Sequence, residues 1–351
     1  MVQFATRAAR STARLGRHGL IRSTIVLVVL ALPMLFGACS SGKTVTASSA
    51  PPSQTSSVSW KPQKSGLKGA LYAVTCISNR ICWAVGADGT ILATSDGGTT
   101  WKTQSTGKTN GHGLYGIAFA DSSHGWAVGG GGIILATADG GVTWKAQKSG
   151  LPAYVTIYGV AFADSRHGWA LDNNNVVSTN DGGVTWQVHT SGITSYLSSI
   201  AFTDAVHGWA VGNDGAIVST ADGGATWKSQ KSGVPAGVNL YGVSFSDPND
   251  GWAVGNGGTI VATTDGGATW KLQKSGTKQD IIGVSFATAS KGWAVGGDGT
   301  IVGTEDGGVT WKLSTSGSSE YLNAVTLNKA NDGWIVGGHG TILAHTNGGA
   351  R

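Results

Sequence analysis

TSDGGTTW, residues Thr94–Trp101, decides the fold, because it returns five more times in the form TxDGGxTW. The later copies run from Thr137 to Trp144, Thr179 to Trp186, Thr220 to Trp227, Thr263 to Trp270 and Thr304 to Trp311. A degenerate copy, His345-Thr346-Asn347-Gly348-Gly349, stands near the C-terminal end. The box combines an Asp that can accept backbone N–H bonds, two glycines suited to positive φ, and a Thr-Trp that re-enters a strand. It reads as a turn between two strands, fixed to the sheet by an indole. A second series, GWAVG or a near relative, interleaves with it and places Trp83, Trp126, Trp169, Trp209, Trp252, Trp293 and Trp334 at intervals of 43, 43, 40, 43, 41 and 41 residues. That period belongs to blades of four strands, and also to some two-helix repeats.

Pattern separates the two. In the second unit the runs LYGIAFA from Leu114, GWAVG from Gly125, IILATAD from Ile133 and TWKAQKSG from Thr143 are short, β-branched or aromatic, and bounded by glycine. None carries a helical stripe, so each unit is four antiparallel strands. Asp88-Gly89, Asp214-Gly215 and Asp298-Gly299 supply two-residue hairpin turns between second and third strands, and unit three replaces them with Asn-rich Asp172–Asn175. The last unit stops at Arg351 before its Thr-Trp strand. The missing strand lies at the other end, where residues 58–66 (VSWKPQKSG) match TWKAQKSG. The expectation is an all-β, seven-bladed β-propeller over residues 58–351, its last blade closed by the N-terminal strand, which removes the open edge of a linear array.

Gly at 57 of 351 residues is about twice ordinary usage and suits short strands and tight turns. The formal charge of +5 is local: Arg7, Arg10, Arg14, Arg17 and Arg22 precede residue 39 with no acid among them, leaving 19 bases against 19 acids. Without a localised excess of Lys and Arg, nucleic acid is excluded as a partner. Residues 1–38 read as a signal peptide, a basic region followed by the apolar run Ile25–Phe36, too short to span a bilayer comfortably. Gly37-Ala38-Cys39 resembles the lipobox of bacterial lipoproteins, although Phe36 stands where Leu is usual. That resemblance implies lipidation of Cys39, anchorage at the outer or periplasm-facing side of the bacterial cell membrane, and a Ser/Thr/Pro-rich tether over residues 39–57.

Cys76 and Cys82 end the facing strands of the first hairpin and are expected to form a disulfide in an exported protein. His124, His167 and His207 recur before GW in successive units, and equivalent turns of a ring fan apart, so they read as turn residues and no metal or cofactor is expected. The box residues Asp96, Asp139, Asp181, Asp222, Asp265 and Asp306 are read as structural for the same reason. Lysines on the fourth strands, such as Lys102, Lys145 and Lys271, guard exposed edges.

The boxes resemble the Asp-box, or bacterial neuraminidase repeat, of sialidases, other glycosidases and sortilin-like propellers. Combined with GWAVG and GTIxxT in seven units, they are more similar to the photosystem II stability/assembly factor family. That resemblance implies a non-enzymatic, extracytoplasmic factor that binds a membrane or envelope protein. A sialidase would need three arginines and a Tyr helped by Glu; beyond residue 39 the chain has only Arg80, Arg166 and Arg351, with Glu305 and Glu320. A retaining glycosidase would need two carboxylates about 5 Å apart, and no loop concentrates acids that way. A monomeric protein-binding propeller is therefore expected, with a glycan-binding lectin or glycosidase-like protein as the alternative. Loops vary while the scaffold repeats, which makes His112, Tyr154, Tyr196, Asn239, Asp280, Glu320 and Tyr321 of the inter-blade loops, with His339 of a second-hairpin turn, the candidate partner contacts. The substitution Cys39→Ser is expected to move the protein from the membrane pellet to the soluble fraction, and retention in the pellet would refute the lipid anchor.

Overall fold

The computed structural model describes residues 59–345 apart from 108, 173, 174, 191, 193 and 194. The signal peptide, Cys39, the whole tether, Val58, the turn at 173–174 and residues 346–349 of the degenerate box lie outside the described residues. The described strands form seven four-stranded antiparallel sheets, one per repeat. In blade two, Leu114–Phe119, Gly125–Gly129, Ile134–Thr137 and Lys145–Gln147 pair in sequence order. Blade seven takes Leu322–Leu327, Gly333–Gly337 and Ile342–His345 from the C-terminal side and Lys61–Gln63 from the N-terminal side, with Lys61 opposite Ala344 and Gln63 opposite Ile342. The molecule is a seven-bladed propeller closed by its N-terminal strand.

The core lies between blades. Every GWAVG-type strand is buried along its whole length, because a neighbouring blade covers each of its faces. Alternation divides the side chains: Trp126 and Val128 meet Ile157, Ala170 and Val177 of blade three, while Ala127 meets Trp83, Val85 and Ile91 of blade one. At five seams the GW indole stacks flat on a Phe from the next blade's first strand, as in Trp126–Phe162 at 3.4 Å between ring centres and Trp252–Phe286 at 3.4 Å. The box Trp of that next blade then meets the same Phe edge-on, as Trp186 meets Phe162 at 87°. Offset-stacked and edge-on contacts are the two favourable aromatic geometries, and each seam uses both on one ring.

Polar groups complete the seam. At five seams the GW indole donates to the first box Gly of the following blade, as in Trp83 Nε1 to Gly140 O at 3.1 Å and Trp209 Nε1 to Gly266 O at 2.9 Å. From the preceding blade's outer strand a Gln reaches in: Gln63, Gln104, Gln230 and Gln273 accept from Trp101, Trp144, Trp270 and Trp311 at 2.9 to 3.1 Å. The second box glycine lies beneath this carboxamide; a Cβ at Gly98 or Gly308 would come within 2.1 Å of the Gln oxygen. Those glycines also have φ of 82° and 89°, so both space and backbone require Gly.

Two seams differ in composition. Cys76 and Cys82, directly opposite each other and joined by a disulfide of S–S 2.04 Å, occupy the positions where blade two has Phe119 over Gly125. Trp334 packs there against the cystine. In blade seven Leu327 replaces Phe, and Trp60 meets Trp293 edge-on at 5.4 Å. Trp60 is 4 % exposed, so the N-terminal segment supplies an interior residue as well as a strand. Deleting residues 58–66 is expected to lower the thermal midpoint by more than 10 °C, on the order of the loss of a buried Trp and a strand, as read by circular dichroism. An unchanged midpoint would refute closure by this strand.

Candidate functional site

The four strands of a blade sort its connections onto two faces. Box turns are tied to first hairpins, with Gly140 N donating to Ser123 O at 2.9 Å and Gly182 N to Arg166 O at 2.9 Å. Second-hairpin turns are tied to inter-blade loops on the other face, with Gly132 N donating to Val155 O at 2.7 Å and Gly299 N to Glu320 O at 2.9 Å. In blade one Asp88 and Gly89 have φ of 55° and 70°, and Thr90 N donates to Ala87 O at 3.0 Å, the hairpin geometry foreseen from Asp-Gly.

The axis opens on this loop face. All seven innermost strands carry an irregularity at their second residue: pairing steps from Leu71 to Ala73, Leu114 to Gly116, Ile157 to Gly159 and Leu240 to Gly242, skipping one residue each time. A bulge re-aims the skipped side chain. Here it directs Tyr72, Tyr115, Tyr158, Ser198, Tyr241, Ile282 and Asn323 into an axial cavity of about 360 Å³. Tyr72, Tyr115 and Tyr158 form a ladder with ring centres 5.1 and 5.7 Å apart. Burial, then the neighbouring Tyr72 and Tyr158, raises the phenol pKa of Tyr115. Asn323 Nδ2 donates to Leu71 O at 2.8 Å and links blade seven to blade one beside the cavity.

The eight residues named from the loops are spread around this mouth. One quadrant gathers several of them: burial raises the Tyr321 pKa, followed by the charges of Asp280, Tyr241 and Asp298. Next to it Glu320 Oε2 pairs with His339 Nδ1 at 2.7 Å, and Gln279 Nε2 donates to Asp298 at 2.6 Å. Others hold turns. Asn239 Oδ1 accepts from Asp214 N at 3.0 Å, Asp280 Oδ1 accepts from Gly257 N at 2.8 Å, and His112 lies against Gly130 and Gly131. Tyr154 and Tyr196, 88 % and 58 % exposed, project from separate loops. Sequence reasoning missed Tyr72, Tyr115, Tyr158 and Tyr241. Their signal was the LY or IY that opens four of the seven first strands, but only the topology makes that strand innermost.

The opposite face is held by its own acids. In each box the Asp accepts from Thr on both sides: Asp139 Oδ1 takes Thr137 Oγ1 and Thr143 N at 2.8 Å, and Oδ2 takes Thr143 Oγ1 at 2.6 Å. His124, His167 and His207 each pair through Nδ1 with Asp121, Asp164 and Asp204 of their own hairpins at 2.9, 2.8 and 2.8 Å. Among the described residues no group of three or more His, Cys, Asp or Glu is placed to hold a metal ion.

With the boxes, seams and axial mouth in view, comparison with known proteins is informative. A family model described as photosynthesis system II assembly factor YCF48 matches residues 191–271 and again 270–351. Over those residues, all in the C-terminal half, the chain is similar to that family. No protein of curated function matches it. Among solved structures, YCF48 bound to D1 peptide superposes with a TM-score of 0.70 at 20 % identity, over 83 % of this chain and 97 % of that one. YCF48 from Cyanidioschyzon merolae gives 0.68 at 18 %, over 82 % and 98 %. A catalytically inactive virginiamycin B lyase from Staphylococcus aureus with quinupristin gives 0.70 at 15 %, over 82 % and 99 %. At these identities the structural likeness is one of fold, and the same ring carries both binding factors and an enzyme.

In this ring the box carboxylates couple stability to acid. The Thr143 hydroxyl, the Thr143 N–H and the Thr137 hydroxyl lower the Asp139 pKa from 3.8 to about 2, and the other five box Asp residues are lowered to about 2 by the same kinds of bonds. A carboxylate with a depressed folded pKa contributes stability that is fully present above its unfolded pKa and is lost as pH falls through the folded one. The urea midpoint is therefore expected to fall steeply between about pH 4 and pH 2. Asp139→Asn should lower the midpoint at pH 6 and shrink its loss on acidification; an identical pH profile would show that the box carboxylate is not the coupled group.

Proposed function

We propose that the protein is a non-enzymatic, exported lipoprotein that binds a segment of a membrane or envelope protein partner as an assembly or scaffold factor. The observation that carries this reading is the axial mouth with its rim: four tyrosines inside, and Tyr321 beside Asp280, Asp298 and Glu320 above. Tyrosines held by a rigid ring offer large contact area with little side-chain entropy to lose. A bulge at every innermost strand fixes their direction, and the phenol groups give an incoming chain hydrogen-bonding tips as well as aromatic faces. The acids of one quadrant favour a partner segment carrying Lys or Arg there.

The similarity to assembly factor propellers, one of them solved with a peptide, supports the choice of a protein ligand. The lipobox-like Gly37-Ala38-Cys39 and the tether behind it would hold the ring at the membrane surface, where a membrane protein's loops are within reach. A photocrosslinking residue placed at Tyr321 or Tyr241 is expected to capture one membrane protein in native membranes. The same probe at Val142, on the opposite face and 76 % exposed, should capture none. Equal capture from both faces, or none from the mouth, would overturn the assignment.

A further inference from the structure

The rule that a Gln from the outer strand fills the seam is broken between blades three and four. Five outer strands begin WKPQ, WKTQ and WKAQ from Trp60, Trp101 and Trp144, and WKSQ and WKLQ from Trp227 and Trp270; blade six keeps the Lys but has Ser314 in place of Gln, and blade three reads Trp186-Gln187-Val188-His189. Both the Lys and the Gln are replaced in this strand. The consequence is visible in the packing: a Cβ built at Gly224 meets Trp169 Nε1 at 3.1 Å and no carboxamide, unlike Gly98, Gly141, Gly183, Gly267 and Gly308. Trp227, with no Gln to accept from it, donates to Gly224 O in its own box at 3.1 Å.

The space left is a cavity of about 330 Å³ that opens on the box face. Pockets of about 300 Å³ and upwards hold small molecules. Its polar walls are His167, Ser178, Asn180, Thr185, Gln187 and His189, with neither Lys nor Arg among the lining residues. Asp222 supplies the only carboxylate, and its oxygens already accept from Thr220 Oγ1, Thr226 N and Thr226 Oγ1. The cavity therefore offers a cation little and repels an anion, while its amides, hydroxyls and imidazoles suit a ligand that donates and accepts in several directions.

The 2.8 Å contact between Ser178 Oγ and His189 Nε2 is not the mark of a nucleophile and its base. In blade four the equivalent Ser219 Oγ accepts from Gln230 Nε2 at 2.9 Å, so His189 keeps a bond that the scaffold makes with Gln. What the shorter imidazole changes is the room beside it.

We propose that the seam between blades three and four is a binding site for a neutral polyhydroxylated ligand, a single monosaccharide unit, contacted by Gln187, His189, Asn180 and Thr185. It lies on the face opposite the axial mouth and is independent of partner binding there. The test titrates the purified chain with glucose, galactose, mannose and N-acetylglucosamine, followed by saturation-transfer NMR and by the indole N–H resonance of Trp227. At least one sugar is expected to bind saturably and to shift that resonance. His189→Gln restores the residue that fills five of the other seams, and Gln187→Lys restores the outer-strand lysine; each should weaken binding at least tenfold while the thermal midpoint stays level or rises. If no sugar binds, if binding leaves the Trp227 indole unmoved, or if both folded variants bind as the wild type does, the site is refuted.

Discussion

The flat stack of an indole on a phenyl ring across five of the seven blade boundaries is the contact on which the ring depends. A single four-stranded blade has two apolar faces and too little sheet to be stable alone, so each must be covered by a neighbour. Trp126 on Phe162 and Trp169 on Phe202 set the spacing of successive blades, and the edge-on box Trp closes the side that would otherwise meet water. Because the indole N–H also donates to the following box, the aromatic contact fixes the position of the Asp turn as well. Packing and turn geometry are thus one device, which explains why the TxDGGxTW and GWAVG series recur together.

A closed ring makes departures from the repeat informative, since every seam performs the same mechanical task. At the boundary between blades seven and one, the cystine Cys76–Cys82 replaces Phe over Gly, while Gln63 donates to Gly97 O at 3.1 Å and carries the N-terminal strand into contact with blade one. Between blades six and seven, Trp60 and Leu327 fill what Phe fills elsewhere. Both exchanges preserve filling with different atoms. Between blades three and four the exchange of Gln for His189 removes filling, and a cavity results.

The two faces divide the chemistry. On the box face the acids are hydrogen-bonded by threonine hydroxyls, backbone N–H groups and, in the first hairpins, neighbouring histidines, and they act on the fold. On the loop face, Asn239 and Asp280 each hold a second-hairpin turn through one side-chain oxygen. Asn239 and Asp280 show that a residue chosen for its variability can still have a structural duty. The Tyr154 and Tyr196 side chains are exposed, although the Tyr196 carbonyl accepts from Asn213 N at 2.9 Å and so helps hold a turn.

The sequence alone determined the architecture. Period, alternation, Asp-Gly turns and the count of Trp in each series are local properties, and a strand that must bury both faces has few apolar alternatives to GWAVG. Even closure was legible, since VSWKPQKSG repeats a fourth strand that the last unit lacks. The opposite sorting of turns onto two faces followed from strand parity. What only the tertiary structure decided was which residues of different repeats share a space. Tyr72, Tyr115, Tyr158 and Tyr241 lie about 43 to 83 residues apart in the chain, and they converge because the bulged position of each innermost strand points to one axis. His189 drew no reading from the sequence; its meaning depends on Trp169 of its own blade and on Gly224, which the next blade brings against it. Local chemistry fixes each blade, whereas a site between blades is a property of their packing.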